Sequence, residues 1–295
     1  MFEGLRTLLP AKPAEPEAQS GEGTVTLADL MRRNSIELWY QPKIDLKSWR
    51  LVGAEGLVRG RAPGGVTISP AAFLPGAPEQ DMLVLTERVI LTALRDFDDC
   101  AALGASLKLS VNVPVSALVK LPIAQILREA RPTAPTWPGL ILEVTEDEAL
   151  NDLKIANDVA DQLRGLNCTL ALDDFGAGYS SLARLRQLPF SELKIDMSYV
   201  SNCHLDRVNA GLCETIVALA KRFGLTTVAE GIERVQESQK MQAIGCDTGQ
   251  GYLFARPMPK AAFLAALGRR MVGGPRRAAL LRQSAKLLRG LFAAS

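Results

Sequence analysis

The chain has 295 residues, of which 47% are hydrophobic, and a net charge of +2. That length suits one (β/α)8 barrel or two average domains, and so small an excess of positive charge gives no reason to expect polymeric nucleic acid as a partner. Five dispersed cysteines without a CxxC pair argue against a disulfide framework or a zinc knuckle, and a single histidine, His204, excludes chemistry that needs two imidazoles.

The N-terminal segment is rich in proline, alanine, glutamate and glycine, a composition typical of disorder. Its opening MFEGLRTLLP is too short and too weakly basic for a secretory signal. The chain also contains no apolar run of the roughly 18 residues that span a bilayer. We therefore expect a disordered segment over residues 1–24, a folded domain over residues 25–267 and a cytoplasmic location.

From Val25 onward, short apolar segments alternate with longer segments of helical periodicity, the pattern of βα units. Eight segments are predicted to be strands: Glu37–Leu46, Leu51–Val58, Leu107–Asn112, Leu140–Val144, Cys168–Asp173, Glu192–Asp196, Thr226–Glu230 and Tyr252–Ala255. The predicted helices include Leu83–Asp99, Asn151–Leu166, Arg207–Phe223, Val235–Ile244 and Lys260–Leu267. Eight such strands favour an α/β fold of the TIM-like (β/α)8 barrel type over an open sheet.

Polar side chains stand where six of the predicted strands end. They are Glu55, Asn112, Glu143, Asp173 with Asp174, Lys194 with Asp196, and Glu230. The C-terminal strand ends of a (β/α)8 barrel meet on one face, so we expect these side chains to form one carboxylate-rich cluster. A single acidic residue at a strand end is more often a turn or helix-cap residue, and the functional interpretation depends on the recurrence at six ends.

The chemistry of this cluster indicates which metals it would bind. Carboxylate and amide oxygens, without imidazole or thiolate, favour Mg²⁺ or Mn²⁺ over Zn²⁺. The adjacent carboxylates of Asp173 and Asp174 can serve two ions, and two ions about 3.5–4 Å apart form a clamp for the attack of water on phosphorus. Lys194 is suited to orient that water or to neutralise developing charge, and equally to pair with a carboxylate.

The motifs around these residues resemble the EAL family of bacterial cyclic di-GMP phosphodiesterases over nearly the whole of Val25–Leu267. In family order they read YQPKIDL, EGLVR, SVNV, LEVTE, DDFGAGYSSL, LKID, VAEGIE and GQGYLFARPMP. The resemblance implies metal-dependent hydrolysis of one phosphodiester bond in cyclic di-GMP to give linear pGpG. It also implies a barrel whose first strand runs antiparallel to the others, and a homodimer formed through the barrel.

The resemblance further implies a role for each matching position. Metal ligands for a first Mg²⁺ or Mn²⁺ ion would be Glu55, Asn112, Glu143 and Asp173, and those for a second would be Asp173, Asp174 and Glu230. The catalytic group would comprise Lys194, which contacts the nucleophilic water, with Glu55 and Glu230. Substrate contacts would be Gln41, Leu57, Arg59, Glu233 and Gln250, with Arg59 at a phosphate and Gln250 also supporting the metal–water network. Glu146 would steady the DDFG loop.

The chain departs from the family pattern at two glycines. Gly56 replaces the alanine of the signature Glu-Ala-Leu, and Gly60 replaces the aromatic residue that usually follows the arginine. Glycine within a strand costs about 0.5–1 kcal/mol relative to alanine, so we expect Gly56 to alter metal affinity through Glu55 without abolishing it. The segment Phe73–Leu83 also differs from the family form, and we expect that difference to affect packing or regulation.

The last segment, residues 268–295, contains basic residues and no acidic one. On a helix, Leu280, Leu281, Leu287, Leu288, Leu291 and Phe292 share one side, opposite Arg282, Lys286 and Arg289. This basic amphipathic helix either packs on its own barrel or docks on an anionic membrane surface or a partner protein. The membrane alternative would place the chain at the periphery of the inner membrane.

Two other functions compete with hydrolysis. One is a catalytically silent cyclic di-GMP receptor, although receptors in this family usually lack one or more of the ligand residues present here. The other is a glycosidase that uses a carboxylate pair at the strand ends as acid and base. The adjacency of Asp173 and Asp174, the nearby lysine and an aromatic content of only 5% favour phosphodiester hydrolysis over the glycosidase.

Overall fold

The structure is a computed structural model, and it describes residues 25–145, 153–163, 165–176 and 190–272. The expected disordered segment over residues 1–24, the predicted loop-stabilising residue Glu146, and the tail beyond Val272 lie outside the described residues. Within these ranges, every helix is too short or too polar to span a bilayer.

One sheet contains all the strands of the described residues. In chain order they are β1 (Ile36–Asp45), β2 (Leu51–Arg61), β3 (Thr67–Ile68), β4 (Lys108–Asn112), β5 (Leu140–Thr145), β6 (Cys168–Phe175), β7 (Phe190–Ile195), β8 (Thr226–Ala229), β9 (Thr248–Gly249) and β10 (Met258–Pro259). Neighbouring strands follow the order β1-β9-β8-β7-β6-β5-β4-β2, and β2 pairs again with β1. Eight strands thus close into a barrel, as the sequence predicted.

The first strand runs against the rest of the barrel. β1 pairs antiparallel with both β2 and β9, whereas the pairs from β2 through β4 to β9 are parallel. The cause is local, because β1 and β2 are joined by a tight turn in which Trp49 N–H donates to Asp45 O at 2.8 Å, and so short a connection permits only antiparallel pairing. The register of this pair sets Gln41 directly opposite Glu55.

The eighth strand does not lie where the sequence predicted it. β9 closes the barrel, and the segment Tyr252–Ala255 forms turns and irregular backbone. There the N–H groups of Phe254 and Ala255 both donate to Gly251 O, at 3.1 and 3.2 Å. The apolar residues that suggested a strand serve packing instead, since Phe254 is buried and its ring centre lies 5.9 Å from that of Trp49.

The helices surround the barrel. In chain order they are α1 (Leu27–Arg32), α2 (Pro70–Phe73), α3 (Glu79–Ala102), α4 (Val115–Lys120), α5 (Ile123–Glu129), α6 (Leu153–Leu163), α7 (Met197–Val200), α8 (Arg207–Arg222), α9 (Val235–Ile244) and α10 (Lys260–Val272). The five predicted helices correspond to α3, α6, α8, α9 and α10. The end of α10 at Val272 extends past residue 267, where the folded domain was expected to end.

Local sequence explains where several helices begin and end. Thr26 and Asp29 form a reciprocal capping box at the start of α1. The Asp206 side chain accepts hydrogen bonds from the first N–H groups of α8, and Gly245 ends α9 in the left-handed conformation that glycine adopts without strain.

The two faces of the barrel sheet contact different kinds of side chain. Outside, fully buried apolar side chains of α3 such as Ile90, Leu94 and Phe97 pack against it, and each such burial stabilises the fold by ~1.5–3 kcal/mol. Inside, several buried side chains are polar or charged: Lys43, Glu55, Ser110, Glu143, Lys194 and Gln250. Because side chains alternate between faces along a strand, the same strands supply the apolar shell and the charged interior.

Candidate functional site

Lys194, near the end of β7, lies at the centre of the predicted cluster. Its Nζ lies 2.8 Å from one carboxylate oxygen each of Glu143, Asp173 and Glu230, and 3.5 Å from Glu55 Oε2. The lysine side chain is only 1% exposed, so these carboxylates, and not water, satisfy its ammonium group. The structure therefore brings residues that lie on or directly after five different strands together around one buried positive charge.

Glu55 is held by amide groups as well as by this charge. Asn112 Nδ2 donates to Glu55 Oε1 at 2.8 Å, and Gln250 Nε2 donates to Glu55 Oε2 at 2.6 Å. Gln250 Nε2 also lies 3.0 Å from Gln41 Oε1, and Gln41 Nε2 donates to Ala255 O at 3.2 Å. Two of the predicted substrate contacts, Gln41 and Gln250, thus belong to a buried network beside Glu55.

Asp173 and Asp174 direct their carboxylates to the same side, although neighbouring strand residues ordinarily point to opposite faces. The register between β6 and β7 shifts between Leu172 and Phe175, and Asp174 has a left-handed φ of 53°. Aspartate tolerates that conformation better than most residues. This local irregularity at the end of β6 allows Asp173 and Asp174, although adjacent in the sequence, to contribute to one site.

Three carboxylates in this region have the spacing of a cation site. Asp173, Asp174 and Glu230 each offer an oxygen that lies within 4.8 Å of the other two. Asp173 is buried and Asp174 is exposed, so the group extends from the barrel interior to the solvent. An oxygen-only donor set fits a hard divalent cation such as Mg²⁺ or Mn²⁺, and the residues present are chemically suited to hold one.

Burial and mutual repulsion oppose ionisation in this group. Burial, and then the charge of Asp173, raise the pKa of Asp174 above its usual range. Burial also raises the pKa of Glu230, even though the ammonium of Lys194 favours its charged form. Carboxylates that repel one another in this way gain most from a cation placed between them.

Lys43 is a buried residue beside this cluster that the sequence did not predict, although it lies within the motif YQPKIDL. Its Nζ lies 2.8 Å from Glu143 Oε1 and 2.9 Å from Glu192 Oε1, and its side chain is 4% exposed. Burial alone would raise the pKa of Glu143, but the ammonium groups of Lys194 and Lys43 hold it well below its usual range. The position of Lys43 inside the barrel could have been predicted, since Lys43 follows Gln41 by two residues and so lies on the same face of β1.

Two further predicted substrate contacts lie on β2 beyond Glu55. The Arg59 guanidinium is half-buried, donates from Nη1 to Val58 O at 2.8 Å, and lies 5.7 Å from the centre of the Trp39 ring. Leu57 is half-buried and pairs with Trp39 across the antiparallel register. Both residues continue the strand that carries Glu55.

Glu233 and Asp196 serve the starts of helices in this structure. Glu233 is exposed, and its N–H donates to Glu237 Oε2 at 3.0 Å just before α9. Asp196, one of the polar strand-end residues, accepts a hydrogen bond from Ser198 N–H at 2.9 Å and caps α7. The helix-cap interpretation therefore applies to Asp196, which was not among the predicted ligands.

The two glycines that depart from the family pattern have different surroundings. A Cβ at Gly56 would lie 3.3 Å from Val111 Cγ1 and 3.4 Å from Ser110 O, so alanine needs only a shift of a few tenths of an ångström. A Cβ at Gly60 would lie 2.7 Å from Leu30 Cδ1. Leu30 of α1 therefore takes the space next to Gly60.

A closed barrel with an antiparallel first strand and carboxylates gathered around one buried lysine defines a (β/α)8 barrel protein with an acidic centre. The chain belongs to the EAL domain family, whose model matches residues 24–257. The resemblance seen in its motifs is thereby confirmed.

Similar proteins include the cyclic di-GMP phosphodiesterase RocR of Pseudomonas aeruginosa, 33% identical over 244 residues that cover 81% of this chain and 62% of RocR. The solved PaMucR phosphodiesterase in complex with c-di-GMP has a TM-score of 0.72 and 32% identity, covering 80% of this chain and 97% of that chain. The manganese and c-di-GMP complex of Klebsiella pneumoniae BlrP1 has a TM-score of 0.64 and 26% identity, and the match covers 77% of this chain and 57% of that chain.

The curated relatives are longer than the matched region. The chain spans 36%, 62%, 30% and 38% of the length of four of them. What these proteins share with this chain is therefore the EAL domain.

Proposed function

We propose that this chain is a cyclic di-GMP phosphodiesterase that hydrolyses one phosphodiester bond, with two divalent cations, to give linear pGpG. The observation that carries the proposal is the convergence of Asp173, Asp174 and Glu230 on one another beside the buried ammonium of Lys194. The similar proteins support the choice of substrate, since RocR is a cyclic di-GMP phosphodiesterase and the PaMucR structure contains c-di-GMP.

We assign the ligands in two overlapping sets. The first cation would be held by Glu55, Asn112, Glu143 and Asp173, and the second by Asp173, Asp174 and Glu230. The oxygen donors suit Mg²⁺ or Mn²⁺, and the BlrP1 complex contains manganese. When bound, two such cations supply electrostatic stabilisation for the attack of water on phosphorus.

The catalytic group in this proposal is Lys194 with Glu55 and Glu230. An ammonium has three N–H donors, and three carboxylate oxygens lie 2.8 Å from this one. The lysine is thus anchored from several sides, and its Nζ keeps a fixed position. An N–H released by one carboxylate can hold the attacking water or neutralise charge that develops on the phosphate.

We assign Arg59 to a substrate phosphate, because a guanidinium can bind two phosphate oxygens at once. Gln41, Leu57 and Glu233 are assigned to nucleotide contacts, and Gln250 to the substrate as well as to the network around Glu55. Glu146 is assigned to steady the loop that follows Asp174. Polymeric nucleic acid is not proposed as a partner.

We further propose a homodimer formed through the barrel. Leu205 and Val208, around the start of α8, are 73% and 69% exposed, and Met197, at the start of α7, is 57% exposed. Large apolar side chains exposed in this way favour a partner that covers them. Analytical ultracentrifugation of the full chain and of the Leu205→Asp variant tests this proposal, with a dimer expected for the first and a monomer for the second.

The proposed organisation is a disordered segment over residues 1–24, an EAL barrel over residues 25–267 and a basic tail over residues 268–295, in a cytoplasmic protein. The tail is proposed either to pack on the barrel or to contact an anionic membrane surface or a partner protein. The membrane alternative places the protein at the periphery of the inner membrane.

The hydrolase proposal is tested on the purified full chain after treatment with EDTA. Chromatography should show conversion of cyclic di-GMP to pGpG only after Mn²⁺ or Mg²⁺ is added, and no conversion by Glu55→Ala or Asp174→Asn. Asp158→Asn changes an exposed aspartate on α6 and is the matched control, expected to keep full activity. Binding of cyclic di-GMP without product would contradict hydrolysis and favour the receptor function.

A further inference from the structure

Lys43 lies in a layer of the barrel interior next to the carboxylate cluster. Its register partner on β2 is Gly53, two residues before Glu55, and its second ion-pair partner Glu192 lies two residues before Lys194 on β7. Both relationships place Lys43 one layer nearer the N-terminal ends of the parallel strands than the cluster itself.

Glu143 is therefore held between two lysines. Its Oε1 accepts a hydrogen bond from Lys43 Nζ at 2.8 Å, and its Oε2 accepts one from Lys194 Nζ at 2.8 Å. The Glu143 side chain is 0% exposed, so water does not replace either partner. Both oxygens have a charged donor, and the plane of the carboxylate is set from two sides.

We propose that Lys43 is a positioning residue for the metal centre: anchored by Glu192, it holds Glu143 Oε1 so that Oε2 stays directed at the cluster. The proposal rests on the metal-dependent function proposed above. Partners that orient ligating carboxylates contribute to metal affinity without touching the metal.

Loss of Lys43 has a geometric consequence. Without it, Glu143 Oε1 would be a buried charged oxygen with no partner among the contacts found in the described part of the chain, which is a costly arrangement. The carboxylate would turn to share Lys194 through both oxygens, and Oε2 would leave its position. A lysine that merely supplied positive charge would act in the opposite direction, because its removal would strengthen cation binding.

The two roles of Lys43 predict opposite changes in the affinity for Mn²⁺. Direct measurement of Mn²⁺ binding in the absence of substrate therefore tests the proposal. Isothermal titration calorimetry on the EDTA-treated wild-type chain is compared with the same measurement on Lys43→Met and on Lys240→Met. The Lys240→Met control removes a half-buried lysine whose Nζ lies 2.8 Å from Glu214. We expect the Kd for Mn²⁺ to rise by about 10–100-fold in Lys43→Met and to change little in Lys240→Met. Unchanged or tighter binding by Lys43→Met overturns the proposal.

A second variant covers the case in which Lys43→Met does not fold, as judged by circular dichroism. The double variant Lys43→Met, Glu192→Gln also removes the charge of Glu192, the second carboxylate that loses Lys43 as its partner. It is expected to show the same weaker binding of Mn²⁺. Saturating Mn²⁺ should bring kcat of either variant back to within about threefold of wild type, because the defect is in metal binding. A wild-type chain that binds no Mn²⁺ contradicts the proposed function itself, whereas wild-type binding with an unaltered variant contradicts only the role of Lys43.

Discussion

Asn112 donates a hydrogen bond to Glu55 Oε1 at 2.8 Å and thereby ties the end of β4 to β2. Asn112→Asp would replace this donor by a second anion facing Glu55. We expect the initial rate of pGpG formation to fall by about 10–100-fold, because Glu55, a proposed metal ligand, loses its orientation and Asn112, a second proposed ligand, is itself changed. The rate is measured by chromatography over a range of Mn²⁺ concentrations.

The control for this variant is Asn34→Asp. Asn34 is exposed, has a left-handed φ of 52° that aspartate also tolerates, and accepts a hydrogen bond from Arg88 through an oxygen that aspartate retains. Its activity should equal that of wild type. A full rate for Asn112→Asp would show that the hydrogen bond to Glu55 does not matter for the reaction.

Lys194→Met should abolish activity and destabilise the metal-free protein. Removing one partner of a buried ion pair costs about 3–5 kcal/mol, and here several carboxylates lose the same partner. Since bound cations restore the missing charge, Mn²⁺ should raise the melting temperature of Lys194→Met by more than it raises that of wild type. Thermal denaturation with and without Mn²⁺ measures both shifts, and equal shifts would contradict the explanation.

Gly56→Ala should be tolerated and should restore the family signature. The nearest neighbour of the new Cβ is a valine methyl at 3.3 Å, which can move by the small distance needed. We expect the free energy of unfolding to rise by less than about 1 kcal/mol, from the reduced entropy of the unfolded chain, and kcat to stay within about twofold. Urea denaturation and the pGpG assay measure these quantities.

Gly53→Ala is the informative contrast on the same strand. Its Cβ would lie 2.4 Å from Lys108 O, a backbone atom of β4 that cannot move without disturbing the sheet. We expect clear destabilisation in the same urea experiment. Equal stability of the two variants would mean that the spacing between β2 and β4 does not decide which glycine can be replaced.

Tyr40→Phe should lower stability without affecting catalysis. The buried Tyr40 hydroxyl donates to Asp96 Oδ2 at 2.6 Å and links β1 to α3 outside the barrel interior. A hydrogen bond to a charged group contributes about 1.5–3 kcal/mol, so the free energy of unfolding should fall by that amount with kcat unchanged. Tyr252→Phe alters a half-exposed tyrosine and should leave stability as it is.

Lys260 should contribute to stability over a defined pH range. Burial favours its neutral amine, but hydrogen bonds to Asp96 and Asp99 raise its pKa above the ordinary value of 10.5. Because the pKa is higher in the folded state, the charged lysine stabilises the fold at any pH below its ordinary pKa. This stabilisation is lost as the pH rises through the pKa of the folded state. The stability difference between wild type and Lys260→Met should therefore be constant from about pH 7 to 9 and shrink above about pH 11. A difference that shrinks already near neutral pH would contradict this pairing.

The barrel, and the polar residues of its strands that would meet, were predictable from the sequence. Strand periodicity is a local property, and a closed barrel brings the C-terminal halves of its parallel strands to one face. Glu55, Asn112, Glu143, Lys194 and Glu230 were all identified in this way. The eighth strand was misplaced for an equally local reason. β9 consists of only Thr248 and Gly249, too short to show a period, while the apolar segment that begins at Tyr252 has the composition of a strand.

The contacts that hold these side chains in place could not be predicted from the sequence. Lys43 and Glu143 are 100 residues apart, and nothing in either motif indicates that they pair. The common direction of Asp173 and Asp174 depends on the register shift between β6 and β7, which the strand pattern does not encode. In both cases the outcome is set by contacts between segments that are distant in the sequence: a buried charge pairs with whatever the folded chain places beside it, and the register of a strand depends on the neighbour with which it pairs.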